Sequence, residues 1–232
     1  MNGKIVGIIG GMGPEATVDL MARIIRATPA EDDIDHIRMV VDNNPKVPSR
    51  IKALLDGGGD SPVDCLQDMA RGLAAWGVDF LAMPCNTAHY FHREIQDAVS
   101  IPVLDMISLA VARAADSHPD VESVGLLAST ATINLDIYGP AAAQRGLALL
   151  TPTPAVQADL MAAIRRIKTG RYGEETEAAL QGAAETLVQE GAGALLVACT
   201  ELSVLSHRIR AGCPVLDSAQ ILAEAIIREA NR

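Results

Sequence analysis

The sequence predicts an α/β fold made of two pseudo-symmetric domains, each a parallel sheet flanked by helices. Two observations carry this. Short runs that are apolar on both faces alternate with stretches of helical period, the pattern of parallel strands covered by helices. Landmarks of the first half also recur in order in the second. VGII at Val6 answers VGLL at Val124 (124 − 6 = 118), the strand-closing Cys85 answers Cys199 (199 − 85 = 114), and PVLD at Pro102 answers PVLD at Pro214 (214 − 102 = 112). The repeat divides the chain into a first domain of 1–105 plus 215–232 and a second of 106–214.

The elements follow in order. KIVGIIG (4–10) is the first strand, and Pro14 suits the first turn of the helix after it. Val18, Met21, Ile24 and Ile25 form that helix's apolar stripe. IRMVVD (37–42) is the second strand, and Asp42-Asn43-Asn44-Pro45 reads as a ligand loop. Gly57-Gly58-Gly59 reads as a flexible loop, too short to link domains. Val63, Leu66, Met69 and Leu73 mark the next helix, followed by strands VDFLAMP (78–84) and IPVLD (101–105). The second half repeats the scheme. Its strands are SVGLLA (123–128), LALLTP (147–152), GALLVAC (193–199) and CPVLD (213–217), with Leu160, Ile164 and Ile167 on a helix.

Composition narrows the function. The 232 residues are 49% hydrophobic and 21% charged, which suits a chain that buries a core. Lys plus Arg is 19 against 29 Asp plus Glu, a net charge of −10. An acidic chain without a basic cluster does not suit nucleic acid or an anionic membrane surface. Aromatics at 3% leave no base-stacking platform. No apolar run approaches the roughly 20 residues that span a bilayer. The start, MNGKIVGIIG, has no signal-peptide pattern, so a cytoplasmic protein is expected. The scattered Cys65, Cys85, Cys199 and Cys213 form no C-x-x-C pair, so free thiols are expected rather than disulfides or zinc ligands.

Cys85 and Cys199 carry the chemistry. Each closes an apolar strand and precedes polar, helix-starting residues, Asn86-Thr87 and Thr200-Glu201. Ligands bind at the carboxyl ends of parallel strands. Helix-start amides there can hold a carboxylate and lower a thiol pKa. A single such cysteine reads as core; two at matched positions of a repeat read as functional. Cys65, inside a helical stripe, and Cys213, before a proline, read as packing. Gly11-Met12-Gly13-Pro14-Glu15-Ala16 has dinucleotide-fingerprint spacing, but no acidic residue follows at the usual distance. Its glycines still imply a close backbone approach. His89 and His92 lie near Cys85. A metal reading has no further ligand cluster to support it, and local hydrogen bonding is the expected role of His89. Arg50 and Lys168 gain meaning only with a carboxylate ligand.

These residues resemble the cofactor-independent aspartate/glutamate racemases, closest to the aspartate racemase branch. The resemblance rests on GGMGPEAT (10–17), PCNTAH (84–89), IPVLDM (101–106) and ACTEL (198–202), and covers essentially the whole chain. It implies an active site in the cleft between the domains, with Cys85 and Cys199 as the two catalytic bases. By the same resemblance Asn86, Thr87 and Thr200 cradle the α-carboxylate and ammonium, and Met12 and Gly13 lie at the cleft floor. Arg50 and Lys168 match the basic residues near the side-chain carboxylate. Thr130 and Thr132, in LASTATIN (127–134), are further substrate contacts, in a loop that more usually contains glycine. The resemblance implies a small-molecule amino-acid substrate, no cofactor, no metal and a homodimer. Glutamate, broad-specificity and hydantoin racemases, and a non-catalytic dicarboxylate-binding protein, are the alternatives. Racemisation needs two acid–base groups on opposite faces of one carbon, which two repeat-related thiols would supply.

Overall fold

The computed structural model describes residues 3–55 and 58–232; Gly57 of the expected glycine loop lies outside them. The chain forms two compact units. One runs to Met106 and resumes at Leu222–Arg232, and the other is Ile107–Ile221.

The first unit contains β1 (Val6–Gly10), α1 (Pro14–Ala27), β2 (Met39–Asn43), α2 (Arg50–Leu54), α3 (Val63–Ala75), β3 (Phe80–Ala82) and α4 (His92–Gln96). A 3-10 turn, Thr87–Phe91, precedes α4. Its sheet is parallel throughout, in the order β2-β1-β3. After α5 (Met106–Ser117) the second unit adds β4 (Ser123–Ala128), α6 (Thr130–Asn134), α7 (Gly139–Gln144), β5 (Ala148–Leu150), α8 (Pro154–Ile167), α9 (Glu174–Gln189), β6 (Ala194–Ala198), α10 (Thr200–Ser203) and β7 (Val215–Asp217). Its parallel order is β5-β4-β6-β7. Then α11 (Ser218–Ala230) follows. No described helix is long and apolar enough to cross a membrane.

The expected strand at 101–105 shrinks to one parallel bridge, Val103 to Leu81. Pro102 does not decide this, since Pro214 precedes a full strand in the second unit; β3 ends at Ala82, whereas β6 runs on and pairs Val197 with Asp217. The Gln96 side chain takes the backbone groups flanking Pro102: its Nε2 donates to Ile101 O (3.1 Å) and its Oε1 accepts from Val103 N (2.8 Å). Val103 nonetheless stands where β7 stands in the second sheet. Leu81 N donates to Pro102 O at 2.8 Å, and Leu195 N to Pro214 O at 2.8 Å. Val215–Asp217 pairs with β6 in the second sheet, so the chain returns to the first unit at Leu222, later than the expected 215.

The period-2 alternation of β4 fills both faces of its sheet. Val124, Leu126 and Ala128 pack with Tyr138 and Leu196, and Leu127 packs with Leu160, Ile164, Leu180 and Leu195. One glycine sits at the same place in both central strands because a helix approaches there. A Cβ on Gly7 would lie 2.6 Å from Leu81 Cδ2, 3.0 Å from Val78 Cγ2 and 3.3 Å from Leu73 Cβ. A Cβ on Gly125 would lie 2.9 Å from Leu195 Cδ2, 3.1 Å from Ala192 Cβ and 3.0 Å from Leu187 Cβ. Each contact in one unit has its counterpart 114 positions on in the other (195 − 81, 192 − 78 and 187 − 73). Two of the Gly125 neighbours are Cβ atoms that cannot rotate away. Gly125→Ala is therefore expected to destabilise by about 1–3 kcal/mol through overpacking, read from urea denaturation.

Candidate active site

Cys85 and Cys199 occupy matched places. Each lies four positions after the leucine that bonds the PVLD proline, and each is buried and free. The carbonyl of each cysteine is tied by the residue four positions further on. His89 Nδ1 is 2.8 Å from Cys85 O, and Ser203 Oγ donates to Cys199 O at 3.3 Å. Both of these residues then reach the end of PVLD, at its last residue or the one after it. Met106 N donates to His89 Nε2 (3.1 Å). Ser203 Oγ lies 2.6 Å from Asp217 Oδ1, which also accepts from Ala219 N (2.9 Å) at the start of α11. The repeated motif thus anchors each cysteine loop to its own unit with different side chains.

These partners assign His89 as a neutral ring protonated on Nδ1, since Nε2 must accept from an amide. His89 stacks on His92 (ring centroids 5.7 Å), whose Nε2 bonds Val103 O at 2.9 Å. Both nitrogens of His89 are used by the backbone, which accounts for the residue without a metal. Among the described residues no group of His, Cys, Asp and Glu could hold a metal ion. Burial, the largest influence, pushes the His89 pKa below its ordinary 6.5. The unfolded chain takes up a proton below about pH 6.5 that the folded chain refuses. The stability contributed by neutral His89 is therefore present above pH 6.5 and lost as pH falls, with a slope of up to about 1.4 kcal/mol per unit. Denaturation at pH 7.5, 6.0 and 5.0 should show this loss, and His89→Gln should show a shallower one. Equal slopes would exclude His89 as its source.

Cys199 has a different surrounding. It is the residue before α10, and its Sγ donates to Glu201 Oε2 at 3.2 Å. Glu201 is buried, with 7% of its surface exposed. Its other oxygen, Oε1, lies 3.3 Å from Lys168 Nζ, but off the hydrogen-bond direction, so Oε1 accepts no hydrogen bond. Burial first, and the Glu201 charge second, push the Cys199 thiol well above its ordinary value. That reverses the depressed pKa expected from the helix start: α10 is a single turn, too short to offset desolvation.

The other expected residues fall as follows. Arg50 opens α2. Its Nη1 donates to Pro48 O (2.9 Å) and Val47 O (3.3 Å), while its buried Nε has no acceptor. Asn86 and Thr200 are buried beside their cysteines, and Thr87 is half-buried. Thr130 opens α6, and its Oγ1 accepts from Gln157 Nε2 (3.2 Å). Thr132 is buried, its hydroxyl 3.0 Å from that of Ser129, the residue that caps α6. Met12 is buried and Gly13 precedes α1.

The glycine motif has an internal explanation. Gly11 takes φ +92°, and a Cβ there would come within 2.3–2.5 Å of the Asn44 backbone. The close approach is between β1 and the loop after β2, not to a pyrophosphate. Asn44 itself is committed to this loop, its Oδ1 accepting from Lys46 N at 2.9 Å. Two polar residues were not singled out from sequence. Glu201 stands in the quoted ACTEL, where its proximity to Cys199 was a legible signal. Gln157, on α8, bonds Ala128 O (3.0 Å) and Thr130 and leaves a buried Oε1 without a partner; nothing in its sequence context marks it.

A sequence profile described as "Asp/Glu/Hydantoin racemase" matches residues 9–226. The chain is 30% identical over 227 residues to a broad specificity amino-acid racemase, RacX, of Bacillus subtilis, covering 96% of each chain. Among solved structures it matches an aspartate racemase of Picrophilus torridus with a TM-score of 0.82 and 34% identity, covering 98% of this chain and 94% of that one. A glutamate racemase of Bacillus anthracis shares the fold, with a TM-score of 0.66 and 22% identity over 97% of this chain and 80% of that one.

Proposed function

The chain belongs to the Asp/Glu/hydantoin racemase family and is an amino-acid racemase, and on that premise we propose that it interconverts L- and D-aspartate without pyridoxal phosphate, using Cys85 and Cys199 as its two acid–base groups. One thiolate takes the α-proton from one face and the other thiol returns a proton to the opposite face, the roles exchanging with the hand of the substrate. The observation that carries the reading is the matched placement of two buried free thiols at equivalent strand ends of the two units. The α-proton is very weakly acidic, so positioned donors must stabilise the carbanion. Asn86, Thr87 and Thr200, adjacent to the two cysteines, are our candidates. The unsatisfied Arg50 Nε supports a carboxylate partner.

Broad specificity is the second reading, favoured by the likeness to the Bacillus subtilis enzyme and by the pairing of Lys168 with Glu201. Incubation with a panel of L- and D-amino acids in deuterated water separates the readings. We expect α-deuteration of both aspartate antipodes well ahead of alanine and glutamate. Comparable exchange on neutral amino acids would favour the broad enzyme, and none on any would remove the proposal. The proposal extends to a cytoplasmic homodimer, the dimer being testable by light scattering.

A further inference from the structure

We propose that Glu201 is a positioning residue that holds Cys199 as the thiol of the resting enzyme and aims its proton. The inference deepens the reading of Cys199 as an acid–base group and rests on it. Glu201 is a buried carboxylate, and a buried charge is costly unless it is partnered. Its two oxygens face two different groups: Oε2 accepts the Cys199 S–H at 3.2 Å, and Oε1 lies 3.3 Å from the Lys168 ammonium. The local chain makes this possible. Cys199 directly precedes α10 and Glu201 is its second residue, so the carboxylate folds back onto the sulfur within one turn.

The charges bearing on the thiol are Glu201 on its own turn and Lys168 at the end of α8, with the Leu202 N–H directed at it as well. If Cys199 lost its proton, a thiolate would stand 3.2 Å from a carboxylate. With one proton shared between Cys85 and Cys199, the form with the proton on Cys199 is therefore favoured. Cys85 is then the base toward the first substrate. The α-proton passes to the Cys85 sulfur and the Cys199 S–H proton passes to the opposite face of the carbanion. The enzyme is left protonated on Cys85 and charged on Cys199, the less favoured of the two forms. An alternative role for Glu201, as a structural partner of Lys168 alone, makes no such demand on the thiol.

The test is thiolate absorbance at 240 nm, followed from pH 6 to 10 on the full chain, with the curve of its Cys199→Ser counterpart subtracted from it. In Glu201→Gln the Cys199 curve should lie lower by about one pH unit or more, roughly tenfold more thiolate at a given pH on the rising limb. Glu201→Asp, which keeps the charge, should stay near the parent. If Glu201→Gln does not fold, Glu201→Met, similar in length and uncharged, carries the same expectation. Coincident curves for parent and Glu201→Gln, whether rising or flat, overturn the inference while leaving the racemase reading in place. Full racemisation by Cys199→Ala would instead remove that reading.

Discussion

Cys85→Ala and Cys199→Ala are each expected to lower aspartate racemisation by about 10³-fold or more while leaving the fold intact. Loss of one positioned acid–base group costs typically 10²–10⁴-fold, and a two-base exchange has no substitute for either group. The fold should survive because each thiol is small and closes a strand without holding it: the ladders of β3 and β6 lie upstream of both. The Cys65→Ala and Cys213→Ala proteins should remain active. Cys65 lies in α3, where its sulfur accepts from Asn44 Nδ2 at 3.5 Å, and Cys213 packs beside β7. Burial raises the pKa of both, as it does for Cys199, so it is their placement away from the matched strand ends that separates them. The measurement is loss of optical rotation of L-aspartate, with circular dichroism as the folding control. A Cys85→Ala enzyme with full activity would rule out two-base exchange.

Arg50→Ala is expected to cut kcat/KM for aspartate by about 10- to 100-fold, with a much smaller loss for alanine. A charge-assisted hydrogen bond to a carboxylate contributes roughly 1.5–3 kcal/mol, and about 1.4 kcal/mol is a factor of ten. Two carbonyls hold the Arg50 guanidinium through Nη1 and leave buried Nε without an acceptor. A donor so held suits the carboxylate partner proposed for it. Lys168→Ala should behave differently. Lys168 faces Glu201, which in turn accepts from Cys199, so removing it strips a buried carboxylate of its cation. Its loss should fall on aspartate and alanine alike, with an added penalty for aspartate if the ammonium also meets substrate. Equal losses in Arg50→Ala would assign that residue to the α-carboxylate or to structure.

The repeat was the most legible part of the chain. Because strands buried on both faces are apolar throughout, VGII and VGLL announce the two central strands, and their shared glycine marks where α3 and α9 press on the sheets. PVLD was legible as a landmark but misleading as a full strand in the first unit. The same motif forms β7 in the second unit, but β3 ends at Ala82 and pairs with it only through Leu81, and the Gln96 amide, from an element outside the motif, takes the neighbouring backbone groups. His89 was legible as a locally bonded residue, but its second partner, Met106 N, lies beyond α4.

By itself, the sequence determined the α/β class, the parallel strands, the two-fold internal repeat and the pair Cys85 and Cys199. All of these follow from local periodicity and from spacing that survives in one dimension. Only the tertiary structure decided what surrounds each thiol. Lys168 ends α8 and Glu201 follows β6, with the whole of α9 between them in the chain. Their meeting beside Cys199 depends on how α8 and α10 pack, which no spacing encodes. The sign of the Cys199 shift follows from the same packing. A helix start taken alone argues for an acidic thiol, but burial together with a carboxylate at 3.2 Å argues for a protonated one. Desolvation and a neighbouring charge outweigh the dipole of a single turn.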